Sequence, residues 1–138
     1  MQTGWKGRAA LPTTAAGAEY AALRPAEAMP AGSLWVVVLN WNLTADTLAC
    51  VVSLLADGFL AAEIVVVDNG SSVDTDALAR GLPPEVGQLY LPANRGFAGG
   101  NNAGIAAVLD QGAPWVLLLN NDTIVLPGTR DALLAAAQ

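Results

Sequence analysis

Residues 115–123 read Trp-Val-Leu-Leu-Leu-Asn-Asn-Asp-Thr, and their reading decides the fold. Five apolar residues without alternation predict a strand covered on both faces, as in the middle of a parallel sheet. The run then breaks into Asn120, Asn121 and Asp122, residues whose side chains bond their own backbone in turns. Asp122 is therefore read in two ways. It is either an ordinary turn former or a carboxylate at the carboxyl end of a strand, where open α/β sheets place ligands.

Working outward, two more buried strands precede it. Leu34–Leu39 (Leu-Trp-Val-Val-Val-Leu) runs into Asn40-Trp41-Asn42, and Glu63–Asp68 (Glu-Ile-Val-Val-Val-Asp) runs into Asn69-Gly70-Ser71-Ser72. Between them Thr44 reads as an N-cap with Asp46 in the first turn. Leu48, Val51, Val52, Leu54 and Leu55 follow helical spacing, and Gly58 is the stop. A short helix begins near Asp74 or Thr75 and ends at Pro83-Pro84; Gln88–Leu91 is a short strand. Pro92 to Gly104 forms a glycine-rich loop grading into a helix to about Gln111, with Ile105, Val108 and Leu109 towards the sheet. Pro127 opens a last helix, Gly128–Ala137. The order β-α-β-α-β-α-β-α gives the fold class: α/β, an open, mostly parallel, Rossmann-like sheet.

Residues 1–32 are rich in Ala, Gly, Pro and Thr and read as a weakly ordered leader, with a short helix from about Ala15 to Leu23. Residues 33–138 form the domain. At 138 residues the chain holds about one domain. A hydrophobic content of 54% with 13% charged residues suits buried α/β layers and excludes wholesale disorder. The net charge of −6, without a Lys/Arg cluster, argues against nucleic acid as a partner.

The sequence contains no histidine and a single cysteine, Cys50. A Ser-His-Asp triad, a typical zinc site and an internal disulfide are thereby excluded. Cys50 sits in the first long helix as a small buried hydrophobe. No apolar run reaches the roughly 18 residues of a membrane span, and the amino terminus lacks a signal-peptide pattern. A cytoplasmic location is expected.

A dinucleotide site would place G-x-G-x-x-G after the first buried strand, and Asn40-Trp41-Asn42-Leu43-Thr44 stands there instead. A P-loop is absent too. If the strands ending at Asn40, Asp68 and Asn120-Asn121-Asp122 are neighbours, their ends meet in one crevice. Asp68 is read as a ligand contact, with a plain turn as the alternative; a carboxylate can accept a hydrogen bond from a ring or ribose donor. The glycines Gly96, Gly99, Gly100 and Gly104 mean close helix–sheet packing or close ligand approach, and the helix-start position of Gly96 favours a ligand.

Four stretches together resemble glycosyltransferase family 2 with its GT-A fold. They are Val-Val-Val-Leu-Asn-Trp-Asn, Ile-Val-Val-Val-Asp-Asn-Gly-Ser-Ser, Asn-Arg-Gly-Phe-Ala-Gly-Gly-Asn-Asn-Ala-Gly-Ile and Trp-Val-Leu-Leu-Leu-Asn-Asn-Asp-Thr. The likeness covers about residues 34–130 and is nearest to rhamnosyltransferase-like members. It implies that Asn40 and Trp41 border a nucleobase pocket and that Asp68 bonds the base ring. It also implies that Arg95 lies against the nucleotide, and that Asn120-Asn121-Asp122 stands for the D-x-D motif, with Asp122 binding Mg²⁺ or Mn²⁺.

The implied function is metal-assisted, inverting transfer of a sugar from a dTDP- or UDP-sugar to a saccharide or lipid-linked acceptor, in cell-wall or polysaccharide biosynthesis. The complete enzyme would be cytoplasmic or membrane-peripheral. Two departures stand out. The first acid of D-x-D is Asn120, and only Asp131 follows Asp122 among the acids. No catalytic base is assigned, and residues 33–138 are expected to be an incomplete donor-binding domain, inactive alone and prone to self-association through an exposed sheet edge. The alternative is a non-catalytic nucleotide-binding or interaction module from a truncated gene. A nucleotidyltransferase is disfavoured because no glycine-rich, lysine-containing stretch follows the first buried strand.

Overall fold

The uninterrupted Val/Ile/Leu runs become the middle of a parallel sheet. The computed structural model describes residues 19–21 and 32–137. Its strands are β1 (Glu19–Ala21), β2 (Leu34–Asn40), β3 (Ile64–Asp68), β4 (Gly87–Tyr90) and β5 (Trp115–Asn120). Its helices are α1 (Thr44–Ala56), α2 (Thr75–Gly81), α3 (Gly96–Asp110) and α4 (Thr129–Ala136), with a 3-10 turn at Ala61–Glu63. The sheet order is β1-β4-β3-β2-β5. The pairs β4–β3, β3–β2 and β2–β5 are parallel, as expected of helical crossovers.

Alternating residues of β2 and β3 feed two cores. Leu34, Val36, Val38, Ile64 and Val66 pack under α1 and α2 with Val51, Leu54 and Leu78. Trp35, Val37, Val65 and Val67 pack under α3 with Ala103, Ala107 and Val108. Burial on both faces is what the continuous apolar runs encode.

Several expectations are corrected. The strand Trp115–Asn120 is not central; it is the outer strand beside β2, with Trp115 47% and Leu118 43% exposed. Its apolar run resembles that of β2, but among the described residues β5 pairs with β2 alone. Within the expected helix Ala15–Leu23, residues Glu19–Ala21 instead form β1, antiparallel to β4. Backbone pairing along an open edge overrides the helix propensity of alanine there. The remainder of that helix and of the leader lies outside the described residues.

Thr44 is not the N-cap of α1: Leu43 occupies that position without a side-chain bond, and the Thr44 hydroxyl donates to the Asp74 carbonyl at 3.3 Å. Helix α4 starts at Thr129, with Gly128 at its cap in a left-handed conformation and Pro127 outside it. Val52 and Leu109 are exposed. In α1 the polar Thr47 takes the inward position because its hydroxyl has a buried partner, described below. In α3 the inward face is made of small residues, Gly100, Ala103, Gly104 and Ala107.

That small face lets α3 lie close to the sheet. A Cβ on Gly104 would overlap Val37 Cγ1 and sit 2.8 Å from Val67 Cγ2. Valine side chains have one stiff torsion and cannot swing aside. Gly104→Ala should therefore destabilise by about 1–2 kcal/mol, overpacking outweighing the gain in helix propensity. Urea denaturation measures this; a stabilised variant would show that the helix can lift without penalty.

At the amino end of β3, Glu63 is buried, and its Oε2 has no hydrogen-bond partner. Burial raises its pKa above the ordinary 4.5, opposed by a hydrogen bond with the Ser33 side chain, the Arg130 charge and a backbone bond from Leu60. A carboxyl that holds its proton more tightly when folded supports stability below its unfolded pKa. That support is lost as pH rises through the folded pKa. The difference in stability between wild type and Glu63→Gln should thus move against wild type on raising pH from below 4.5 towards neutrality. Melting temperatures of the two proteins across that range check the sign.

Candidate nucleotide-binding site at the carboxyl ends of the strands

Parallel pairing sets the site. Asn40 at the end of β2 lies in register with Asp68 of β3, and Leu39 with Asn120 of β5. The three strand ends therefore adjoin, with β2 between the other two.

A buried side-chain network ties them. The Asn40 amide donates to Asp68 Oδ1 at 2.8 Å and to Ser71 Oγ at 3.3 Å. Its oxygen accepts from the Thr47 hydroxyl at 2.7 Å, and Thr47 Oγ1 accepts from Asn121 Nδ2 at 3.1 Å. Asp68 also accepts from the Ser71 hydroxyl at 2.5 Å and from the Ser71 backbone at 3.2 Å. Asn40 is 0% and Asp68 3% exposed. The polar atoms of Asn40 are thus engaged with protein, while Asp68 Oδ2 has a single donor. A carboxylate offers about four acceptor positions, so Oδ2 retains capacity for another.

The surrounding loops are fixed by asparagines. Asn42 adopts φ 56°, a left-handed conformation asparagine tolerates, and its Oδ1 accepts from the Ser72 backbone at 2.9 Å. Its own N–H donates to Ser71 Oγ at 2.8 Å. Asn69 joins the turn after β3 to the loop before α3. Its Oδ1 accepts from Arg95 N at 3.0 Å, and its amide donates to Asn94 Oδ1 and to the Gly96 carbonyl, both at 3.1 Å. The backbone at Ala93–Asn94 crosses so close to Gly70 that a Cβ there would lie 2.5 Å from Asn94 N, and φ at Gly70 is +71°. Only glycine fits that crossing.

Around this floor stand the more open residues. Trp41 is exposed just past β2, Arg95 is partly buried at the cap of α3, and Gly96 is exposed at its first turn with φ +73°. Asn120 is exposed at the end of β5; its backbone carbonyl accepts from Thr123 N at 3.2 Å and lies 3.8 Å from Cys50 Sγ. Asp122 is exposed, and no hydrogen bond or ion pair joins its carboxylate to another described residue. The Cys50 thiol is buried and pushed up to about 11, first by desolvation and then by the charge of Asp122. An inert buried thiol is what its place in α1 predicts.

Among the described residues no group of three or more His, Cys, Asp or Glu side chains could enclose a metal. One free carboxylate beside Asn120 nevertheless suits a hard cation of the Mg²⁺ or Mn²⁺ kind. Such ions are commonly held by one or two carboxylates, with water and substrate phosphates completing the shell. The donor set therefore fits an ion carried by a diphosphate and does not fit a dedicated cage.

Thr47, Asn69 and Ser71 escape sequence reading as site residues. Thr47 leaves a faint signal, a polar residue on the inward stripe of an amphipathic helix. Asn69 and Ser71 leave none, because turn formers occupy such loops whether or not they support a site.

Comparison with known proteins agrees with this architecture. Residues 35–138 match the family model described as Glycosyl transferase family 2. The succinoglycan biosynthesis protein ExoO of Rhizobium meliloti (strain 1021) is 39% identical over 93 residues, which is 66% of this chain and 26% of that protein. The succinoglycan biosynthesis protein ExoU of the same strain is 34% identical over 103 residues, 72% of this chain and 29% of that protein. The chain thus spans less than a third of either curated relative. Among solved structures, the mannosyltransferase PcManGT from Pyrobaculum calidifontis, in complex with GDP-Man and Mn²⁺, superposes with a TM-score of 0.57. The sequence identity is 19%, over 83% of this chain and 35% of that one. That likeness is one of fold, the GT-A type. With the family model covering residues 35–138, and so the parallel strands from Trp35 onward with their crossovers, the chain belongs to glycosyl transferase family 2.

Proposed function

We propose that this chain binds the nucleoside-diphosphate sugar for a metal-dependent, inverting glycosyltransferase of polysaccharide assembly. The observation that carries the reading is the adjoining of three strand ends on one buried Asn40–Asp68 floor, with the unpartnered Asp122 carboxylate at its rim. In this reading Asp68 Oδ2 accepts from the base, Trp41 borders the base pocket, and Arg95 and Gly96 lie along the nucleotide; Asn40, expected beside the base, is fully buried and instead holds Asp68 from beneath. Asn120 and Asp122 face the diphosphate. A bound Mg²⁺ or Mn²⁺ would stabilise the charge that grows on the departing diphosphate. The relatives named for succinoglycan biosynthesis support a polysaccharide product, and a rhamnosyltransferase-like donor remains part of the proposal.

Calorimetric titration of UDP, dTDP and GDP, each with Mn²⁺ and with EDTA, tests the reading and assigns the base. Binding strengthened by Mn²⁺ is expected for one of the first two. No binding of any of the three by folded protein overturns it. The chain spans less than a third of either curated relative, and alone it should transfer little sugar. Sustained turnover would reverse that part. The open β5 edge, with Trp115 and Leu118 exposed, supports self-association, and a monodisperse monomer in sedimentation velocity would count against it.

A further inference from the structure

One stripe of α1 carries Thr47, Cys50 and Ser53, and Asp57 continues it at the helix end, a spacing of three, three and four residues that keeps them on one side. All four meet the segment that leaves β5. Asn121 Nδ2 reaches Thr47 at 3.1 Å, and the Asn120 carbonyl faces Cys50 at 3.8 Å. Val125 N donates to Ser53 Oγ at 2.9 Å. Gly128 N and Arg130 N donate to the two oxygens of Asp57 at 2.6 and 2.7 Å. Asp57 thereby satisfies otherwise unpaired donors at the start of α4 from a different helix, with its charge at the positive end of that helix.

Asp122 sits between the tethered Asn121 and the tethered Val125, and no hydrogen bond joins its carboxylate to another described residue. Its flanks contribute little apolar hold, since Ile124 and Leu126 are exposed and only Val125 is buried. The polar ties to α1 therefore set where the carboxylate stands. We propose that Ser53 and Asp57 are positioning residues for Asp122, holding its segment against α1 in the geometry that a diphosphate-bound cation requires. This rests on the donor-site reading above. Without the ties, Asp122 must be ordered when the ion binds, and that ordering weakens binding.

The test compares wild type, Ser53→Ala, Asp57→Ala and Asp57→Asn. For each, the affinity for whichever of UDP, dTDP and GDP binds wild type best is measured with Mn²⁺ and with EDTA. Amide hydrogen exchange of residues 121–126 is followed without ligand. Asp57→Ala should lose about tenfold of the Mn²⁺-dependent gain, with affinity in EDTA changed less than about twofold, and exchange should quicken. Asp57→Asn, which keeps a carbonyl acceptor, should recover part of the loss. If Asp57→Ala does not fold, Ser53→Ala and Asp57→Asn decide by the same measure. An unchanged Mn²⁺-dependent gain in folded variants overturns the proposal, and so does an equal loss with and without metal. Wild type that binds no nucleotide more tightly with Mn²⁺ overturns the donor-site reading itself and this proposal with it.

Discussion

Asn40→Ala should cost about 2–4 kcal/mol of stability, a large part of the roughly 5–15 kcal/mol that holds a domain folded. The substitution deletes a donor to Asp68 at 2.8 Å, a donor to Ser71 at 3.3 Å and an acceptor for Thr47 at 2.7 Å, the first and last of them buried and the second partly so. A hydrogen bond to a charged group is worth about 1.5–3 kcal/mol, and the two neutral bonds add about 1 kcal/mol each at most, since the Thr47 hydroxyl keeps the Leu43 carbonyl at 3.1 Å as an acceptor. A water entering the vacated space would recover part of this, which places the expectation below the simple total. Trp41→Ala is the neighbouring control. Trp41 is exposed, so its loss should change stability by less than about 0.5 kcal/mol while weakening nucleotide binding. Urea denaturation of both variants separates the roles. A loss below about 1 kcal/mol for Asn40→Ala would mean that the network is not the structural floor of the site.

The contrast between these adjacent residues bears on what could be read before the fold was seen. The β2 and β3 runs declare themselves because each is covered by helices on two faces and flanked by strands on both sides. Residues 115–119 carry the same apolar signature, yet β5 is an outer strand. Periodicity reports how apolar the two faces are and does not report whether a second strand lies alongside. β1 was illegible for the opposite reason: three residues gain their conformation from pairing with β4, and no local pattern encodes a distant backbone edge.

For the site, the positions of Asn40, Asp68 and Asp122 at strand ends could be read from where apolar runs stop. Their partners could not. Whether an asparagine faces solvent or is spent on Thr47 and Asp68 depends on parallel register, which places Asn40 against Asp68 rather than one residue away. The same holds for the α1 stripe. Thr47, Ser53 and Asp57 look like ordinary polar helix residues until the segment after β5 is laid across them.

Asp122→Ala should remove the Mn²⁺-dependent part of nucleotide binding, at least about 100-fold, or about 2.7 kcal/mol, and leave affinity in EDTA unchanged. The size of the effect follows from the donor set. No cluster of acids, histidines or cysteines stands among the described residues to take over, so in the proposed site one carboxylate would supply the protein's negative charge to the ion. Stability should barely change, because the side chain is exposed and has no hydrogen bond to another described residue to lose. Asp131→Ala is the matched control: an exposed acid whose contact is a 3.9 Å ion pair with Arg130, expected to bind metal and nucleotide as wild type does. A second readout needs no ligand at all. The charge of Asp122 contributes to holding the Cys50 thiol near 11, so its removal should lower that pKa while burial keeps it above the ordinary value. Ultraviolet difference absorbance of the thiolate against pH, with Cys50→Ala as the blank, would register the shift. Full Mn²⁺-dependent binding by Asp122→Ala, in protein whose Cys50 titration has moved, would show that the carboxylate is where the structure places it and that the ion is held elsewhere.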